Sequence, residues 1–164
     1  MDNYPLGKDK TMALLFLAGL KEGSEVLCLG GMDSQLLVSR SGYKAKRLKI
    51  AKPGKDAFLD CDYPENSFDG ILSQGDLYVT GDMEKSLMKA ASLLKKGGKL
   101  MMSELCLEEN FDKYLLKAGL EVESCEDVSA MWRAYYMDKL FSGEDVPEWI
   151  EGAFKYYTMV CRKI

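Results

Sequence analysis

The sequence predicts a three-layer α/β fold, in which helices cover both faces of a doubly wound, mainly parallel sheet. An apolar run at 25–29 leads into Gly30-Gly31, a polar triplet and a helical pattern, which is typical of a strand, a tight turn and a helix start. Beyond this unit, strand-like and helix-like runs alternate, and such alternation favours a parallel sheet. The length of 164 residues, 47% of them hydrophobic, suits a single domain over 1–164.

The predicted strands are short apolar or alternating runs that end at glycine, proline or acidic residues. They lie at about 25–29, 43–50, 56–59, 68–73, 99–103, 120–124 and 156–161. The predicted helices have apolar residues at helical spacing and polar residues at their starts. The first has Asp9 or Thr11 as its cap and runs to about Leu20, with Gly23 after its end, and the others lie at about 33–41, 82–96, 108–118, 132–141 and 147–154.

The turn at Gly30-Gly31 predicts a site for a small polar ligand. Unpaired backbone N–H groups converge where a strand runs into a helix, and glycine lets a ligand approach them closely. In parallel sheets the ligand lies at the carboxyl ends of the strands, where the order of connection reverses. The first glycine turn is at that place.

Composition excludes several kinds of function. A net charge of −4 argues against nucleic acid as the partner, because binding phosphates needs a basic face. Five cysteines without a CxxC pair make a disulfide framework or a zinc site improbable, so we expect no metal. The chain has no histidine, which removes Ser-His-Asp and Cys-His catalysis.

The apolar run from Met12 to Leu20 predicts a core helix. It is too short to span a bilayer, and Lys21-Glu22-Gly23 follows it in place of a small-residue cleavage site. Dispersed thiols fit a reducing compartment. We therefore expect a cytoplasmic protein that does not contact membranes.

Two segments carry a resemblance to a known family. They are Tyr63-Pro64-Glu65-Asn66-Ser67-Phe68-Asp69-Gly70-Ile71-Leu72-Ser73 and Leu93-Leu94-Lys95-Lys96-Gly97-Gly98-Lys99-Leu100. With the final strand, they resemble class I S-adenosylmethionine-dependent methyltransferases, of the short kind often grouped as type 11. The resemblance implies a Rossmann-like sheet of seven strands, the last of them antiparallel, with S-adenosylmethionine as the cofactor.

The resemblance also implies where the cofactor binds. Gly30 and Gly31 would lie under its methionine part, and Asp60-Cys61-Asp62 would face adenine. Gln74, Gly75 and Asp76 would lie where the transferred methyl emerges. The implied cofactor-binding residues are thus Gly30, Gly31, Met32, Lys49, Asp60, Cys61 and Gln74.

Several of these positions depart from the family pattern. Cys28 replaces the acidic residue of the glycine loop, and Met32 and Ser34 replace its second and third glycines. Lys49 stands where an acid accepts hydrogen bonds from the ribose hydroxyls, and an ammonium cannot accept one. Losing such a charged partner costs about 1.5–3 kcal/mol.

Candidate catalytic residues follow the strand at 68–73. Asp76 and Tyr78 are the nearby candidates for a proton acceptor, and Trp132 and Tyr136 for lining the acceptor pocket. Without histidine, the expected acceptor is a small molecule that needs little deprotonation, such as a thiol, an amine or a soft element.

Three functions remain open from the sequence. The first is an S-adenosylmethionine-dependent methyltransferase acting on a small molecule. The second is a binding or regulatory subunit that has the same fold and no longer uses the cofactor. The third is an NADP-binding protein, whose phosphate would meet the basic run from Lys46 to Lys55. The sequence also leaves open a homodimer or a complex with a partner subunit.

Overall fold

A computed structural model describes residues 6–30, 32–48, 58–105, 110–146 and 155–164. Its helices are α1 (Gly7–Ala18), α2 (Met32–Arg40), α3 (Met83–Leu93), α4 (Phe111–Lys117) and α5 (Ser129–Phe141), with a 3-10 turn at Tyr78–Thr80. Its strands are β1 (Glu25–Leu29), β2 (Lys44–Leu48), β3 (Phe68–Gln74), β4 (Leu94–Leu105), β5 (Leu120–Asp127) and β6 (Tyr156–Lys163). No helix in the described ranges is long and apolar enough to cross a membrane.

The strands form one mixed sheet in the order β2-β1-β3-β4-β6-β5. The strands β2, β1, β3 and β4 run parallel to one another, which confirms the prediction of a mainly parallel arrangement. Strand β6 is antiparallel to both β4 and β5, as the resemblance implies. Leaving β1, the chain first adds β2 on one side and then β3 on the other, so the order of connection reverses at β1.

The prediction of seven strands is not confirmed, because the described residues form six. The missing strand is the one predicted at 56–59. Residues 56 and 57 lie outside the described ranges, and Phe58 and Leu59 belong to a turn. Phe58 is nevertheless fully buried. The apolar residue that suggested a strand therefore packs into the core from a turn.

Alternate residues of β1 face opposite layers of the molecule. Leu27 and Leu29 pack in the larger core together with α3 and α4, whereas Val26 and Cys28 pack in the core under α1 and α2. This two-sided burial explains why β1 reads as a continuous apolar run. It confirms the predicted three layers.

Several predicted helix ends were wrong. Helix α1 begins at Gly7 without a side-chain cap and ends at Gly19, whose φ of 63° places it in the left-handed region. Thr11 is an interior residue of α1 and donates its hydroxyl proton to the Gly7 carbonyl. Helix α3 is capped by Asp82 as predicted, but it gives way to β4 at Leu94. The helix predicted at 147–154 lies outside the described residues.

Candidate functional site

The carboxyl ends of β1 and β3 lie side by side and bring the glycine turn next to Asp76. Gly30 follows β1 with a φ of +86°, a backbone conformation that L side chains rarely adopt. A Cβ added to Gly30 would lie 2.6 Å from Oδ1 of Asp76. Glycine at position 30 therefore allows the Asp76 carboxylate to lie directly against the backbone. We call Gly30, Gln74, Gly75 and Asp76 the edge site.

Within the described ranges, the Asp76 carboxylate accepts one hydrogen bond, a long one of 3.3 Å from the backbone N–H of Gln74. Burial disfavours the ionised form and raises the pKa of Asp76 to about 7, although the Gln74 bond partly opposes this. Asp76 therefore changes charge near neutral pH.

Gln74 connects the edge site to helix α1. Its amide nitrogen donates to Oγ1 of Thr11 at 2.8 Å. The threonine hydroxyl is fully buried and donates to the Gly7 carbonyl at 3.0 Å. These two hydrogen bonds connect the start of α1, in the helix layer, to the carboxyl end of β3 in the sheet.

A second carboxyl group, that of Glu104 near the end of β4, lies behind the edge site and was not predicted from sequence. Glu104 is 1% exposed and accepts hydrogen bonds from Ser73 Oγ (2.5 Å) and from the backbone N–H groups of Leu77 (3.2 Å) and Tyr78 (3.3 Å). It therefore fixes the turn that carries Asp76. The only sequence signal was an acid directly after the strand predicted at 99–103, which contains the apolar residues 100–102.

The pKa of Glu104 is raised to about 8, chiefly because burial disfavours its charge. The hydrogen bond from Ser73 opposes this effect, and the negative charge of Asp76 adds to it. The charge of Asp76 therefore adds to the effect of burial in keeping Glu104 protonated.

We predict that this protein loses stability as the pH rises from about 5 to 8. The folded-state pKa of Glu104, about 8, exceeds the ordinary value of 4.5, so between these values the folded chain holds a proton that the unfolded chain has released. Raising the pH therefore favours unfolding. Urea denaturation across this range should show a steeper decline for the wild type than for Glu104→Gln. Equal slopes would contradict the prediction.

Aromatic side chains from α5 and β6 cover the end of β4. The Trp132 indole is 2% exposed, stacks on the Tyr156 ring at 4.4 Å and donates from Nε1 to Oγ of Ser103 at 2.9 Å. The Tyr136 ring lies 5.6 Å from that of Trp132. A Cβ on Gly75 would lie 3.3 Å from the Trp132 ring, so this cluster adjoins the edge site.

The other predicted site residues are only partly placed. Arg47 donates from Nε to the Gly30 carbonyl at 3.0 Å, which brings a cation to the glycine turn. Cys61 is half-buried against the α3 side of the core, where its carbonyl accepts from Lys89 Nζ, and Asp60 is exposed. Gly31, Lys49 and the side chain of Met32 lie outside what the structure describes.

Comparison with known proteins connects this geometry to a fold family. No protein-family model matches the sequence, and no curated protein sequence does. The fold does match solved structures. One is a protein from Galdieria sulphuraria described as a sarcosine dimethylglycine methyltransferase, with a TM-score of 0.75 at 18% identity over 95% of this chain and 84% of that one. The chain has the class I methyltransferase fold.

Other solved structures with this fold differ in chemistry. A geranyl diphosphate C-methyltransferase from Streptomyces coelicolor A3(2), solved with S-adenosyl-L-homocysteine, gives a TM-score of 0.73 at 12% identity over 95% of this chain and 79% of that one. A [4+2]-cyclase gives a TM-score of 0.65 at 15% identity, over 95% of this chain and 80% of that one. Several of the methyltransferases contain S-adenosylmethionine or S-adenosylhomocysteine, so S-adenosylmethionine is the cofactor associated with the fold.

Within the class I methyltransferase fold, the departure at Cys28 has a structural explanation. The Cys28 side chain is completely buried between β1 and the α1–α2 layer, and burial raises its pKa to about 12. An apolar environment of this kind suits a neutral thiol and not a carboxylate. The carboxylate near the glycine turn in this chain belongs instead to Asp76, which comes from the end of β3.

Proposed function

We propose that this protein binds S-adenosylmethionine at the carboxyl ends of β1, β2 and β3 and transfers its methyl group to a small molecule. The observation that carries the proposal is the meeting of Gly30 and Asp76 at the edge where the order of connection reverses. A class I methyltransferase fold supports the choice of cofactor, since neighbours with this fold were solved with it or its demethylated product.

The residues at the edge site fit the methionine part of the cofactor. Gly30 has no side chain, and the space this leaves is filled by the Asp76 carboxylate, so a bound cofactor would displace that carboxylate, which offers its negative charge to a cationic ligand. When bound, S-adenosylmethionine supplies a methyl group activated by the positive charge of sulfur. Binding of the ribose part depends on the neighbourhood of Lys49, which lies outside the described residues.

The acceptor would lie on the side of the edge site formed by β4 and α5. Tyr78 and Tyr136 are half-buried there, and Trp132 forms part of the floor beside Gly75. The chain would contribute mainly by holding the acceptor in line with the methyl group. Asp76 and Tyr78 are the proposed proton acceptors, and a thiol or amine acceptor would need little help from either.

Isothermal titration calorimetry tests cofactor binding directly. We expect saturable heat with S-adenosylmethionine and with S-adenosylhomocysteine, and none with NADPH, the control for the basic run at 46–55. Absence of heat with either sulfur ligand at millimolar concentration would contradict the proposal. Saturable binding of NADPH alone would favour a nucleotide-phosphate site.

A second candidate is a binding or regulatory subunit that has the fold without the activity. It is favoured by the position of Asp76, whose carboxylate occupies the space directly over Gly30. The [4+2]-cyclase shows that this fold also serves other chemistry. Lys49→Asp separates the candidates: a gain of cofactor affinity would indicate a weakened site, whereas a loss would show that Lys49 takes part in binding.

A further inference from the structure

Helix α1 is apolar on both of its long sides. The inner side is buried, its apolar members pack with β1 in the core under α1 and α2, and its residues are Thr11, Leu14, Leu15 and Ala18. The outer side is exposed, and we call it the α1 face: Met12, Ala13, Phe16 and Leu17. A helix that is apolar on all sides is normally buried on all sides, so the α1 face indicates a binding partner.

The α1 face presents large side chains to solvent. The Phe16 ring is 85% exposed, the Leu17 side chain 59% and Met12 37%. The face continues toward α2, because Ser41 Oγ, just after α2, donates to Met12 Sδ at 3.5 Å. Exposed apolar patches mark interaction sites, and phenylalanine and methionine are enriched at the centres of protein–protein interfaces.

Charged residues flank the α1 face at both ends. Lys8 and Asp9 lie in the first turn of α1, Lys21 and Glu22 follow the end of the helix, and all four are exposed. Each end thus carries one charge of each sign, although the chain as a whole has a net charge of −4. Helices that lie on lipid surfaces are rich in lysine and arginine along their polar side. The balanced flanks therefore favour a protein surface with the same pattern.

A second copy of this chain has that pattern. In an antiparallel pairing about a two-fold axis between Ala13 and Phe16, the Phe16 ring of each copy would lie over Ala13 of the other, where a small side chain leaves room. The same pairing would bring Asp9 of one copy near Lys21 of the other, because the two residues lie at similar sequence distances from the axis. A parallel pairing would instead place like charges side by side, which is unfavourable.

We propose that two copies of this chain associate through their α1 faces in an antiparallel arrangement, with Phe16 at the centre and Asp9 paired with Lys21 at each end. The inference goes beyond the proposed function and does not depend on it, because no part of it involves the cofactor. It does concern the edge site, since Thr11 on the inner side of the same helix accepts a hydrogen bond from Gln74. Association would hold in place a helix that contacts the edge site.

Sedimentation velocity of the full chain from about 1 to 200 μM tests the association, because self-association depends on concentration. We expect the wild type to shift from monomer to dimer over this range. Phe16→Glu should weaken the association about tenfold or more, because it removes the central ring and adds a charge that pairing would bury. Phe141→Glu, at a ring 81% exposed on α5, is the matched control and should leave the association unchanged. Both variants should keep the wild-type circular dichroism.

A charge exchange tests the antiparallel arrangement. At low salt, Asp9→Lys should weaken the association about threefold or more, because it faces Lys21 of the other copy twice in a symmetric dimer. Adding Lys21→Glu to Asp9→Lys should restore the wild-type affinity. The two residues lie at opposite ends of α1 within one chain. A rescue would therefore report a contact between copies and not an effect on the helix itself.

Three results would overturn the inference. The first is a wild type that stays monomeric over the whole concentration range. The second is a dimer that Phe141→Glu dissociates and Phe16→Glu does not. The third is a wild-type monomer that binds vesicles of phosphatidylcholine and phosphatidylglycerol through Phe16, which would assign the α1 face to a lipid surface. A dimer that depends on Phe16 but is not rescued by the charge exchange would overturn the antiparallel arrangement.

Discussion

Replacing Trp132 by alanine should lower the free energy of unfolding by about 3–5 kcal/mol, the largest single effect we expect. The indole is almost fully buried, stacks on Tyr156 and donates to Ser103, so truncation leaves a cavity and removes a buried hydrogen bond. Urea denaturation followed by circular dichroism measures the change.

Two variants separate the causes of that loss. Trp132→Phe keeps most of the ring but removes the N–H donor to Ser103, and should cost about 1–3 kcal/mol. Phe141→Ala, at a ring that is 81% exposed on the same helix, should change stability by less than about 0.5 kcal/mol. If Trp132→Ala were no more damaging than Phe141→Ala, the packing of α5 against the sheet would be wrong.

Gly30→Ala should both destabilise the protein and abolish cofactor binding. The positive φ at position 30 costs a side chain about 1–2 kcal/mol, and the new Cβ would meet the Asp76 carboxylate at 2.6 Å. Displacing the carboxylate adds about 1–3 kcal/mol. Urea denaturation measures the stability, and calorimetry with S-adenosylhomocysteine measures the binding.

Gly23→Ala is the matched control for the backbone contribution. Gly23 has a φ of +78°, close to that of Gly30, and no atom within 4 Å of its added Cβ. It should therefore show the strain without the contact. Adding Asp76→Ala to Gly30→Ala should bring its cost down to that of Gly23→Ala. A cost for Gly30→Ala that Asp76→Ala does not reduce would contradict the close approach of these two residues.

Most of the fold follows from local sequence signals. The apolar run of β1, the glycine turn and the periodicity of α2 and α3 are short-range patterns, and each was assigned correctly. Helix ends were less predictable, because they depend on backbone geometry. Gly19 ends α1 by taking a left-handed conformation, about one residue before the predicted end at Leu20, whereas the helix begins at Gly7, before the predicted caps Asp9 and Thr11.

The chemistry of the edge site depended on contacts that sequence spacing does not reveal. Asp76 was identified as a candidate from its place after β3, but its approach to Gly30 joins residues 46 positions apart and depends on the strand register. Glu104 was missed because an acid after a buried apolar strand usually faces water. Here Glu104 is buried, and its carboxylate accepts hydrogen bonds from Ser73 and from backbone N–H groups of the turn that follows β3.

A crystal structure of the chain with S-adenosylhomocysteine is the most direct test of the central claim. We expect the nucleoside at the carboxyl ends of β1 and β2, with the amino-acid part between Gly30 and a displaced Asp76 carboxylate. A ligand bound elsewhere on the surface, or crystals grown at saturating ligand with the Asp76 carboxylate still covering Gly30 and no ligand at this edge, would contradict it.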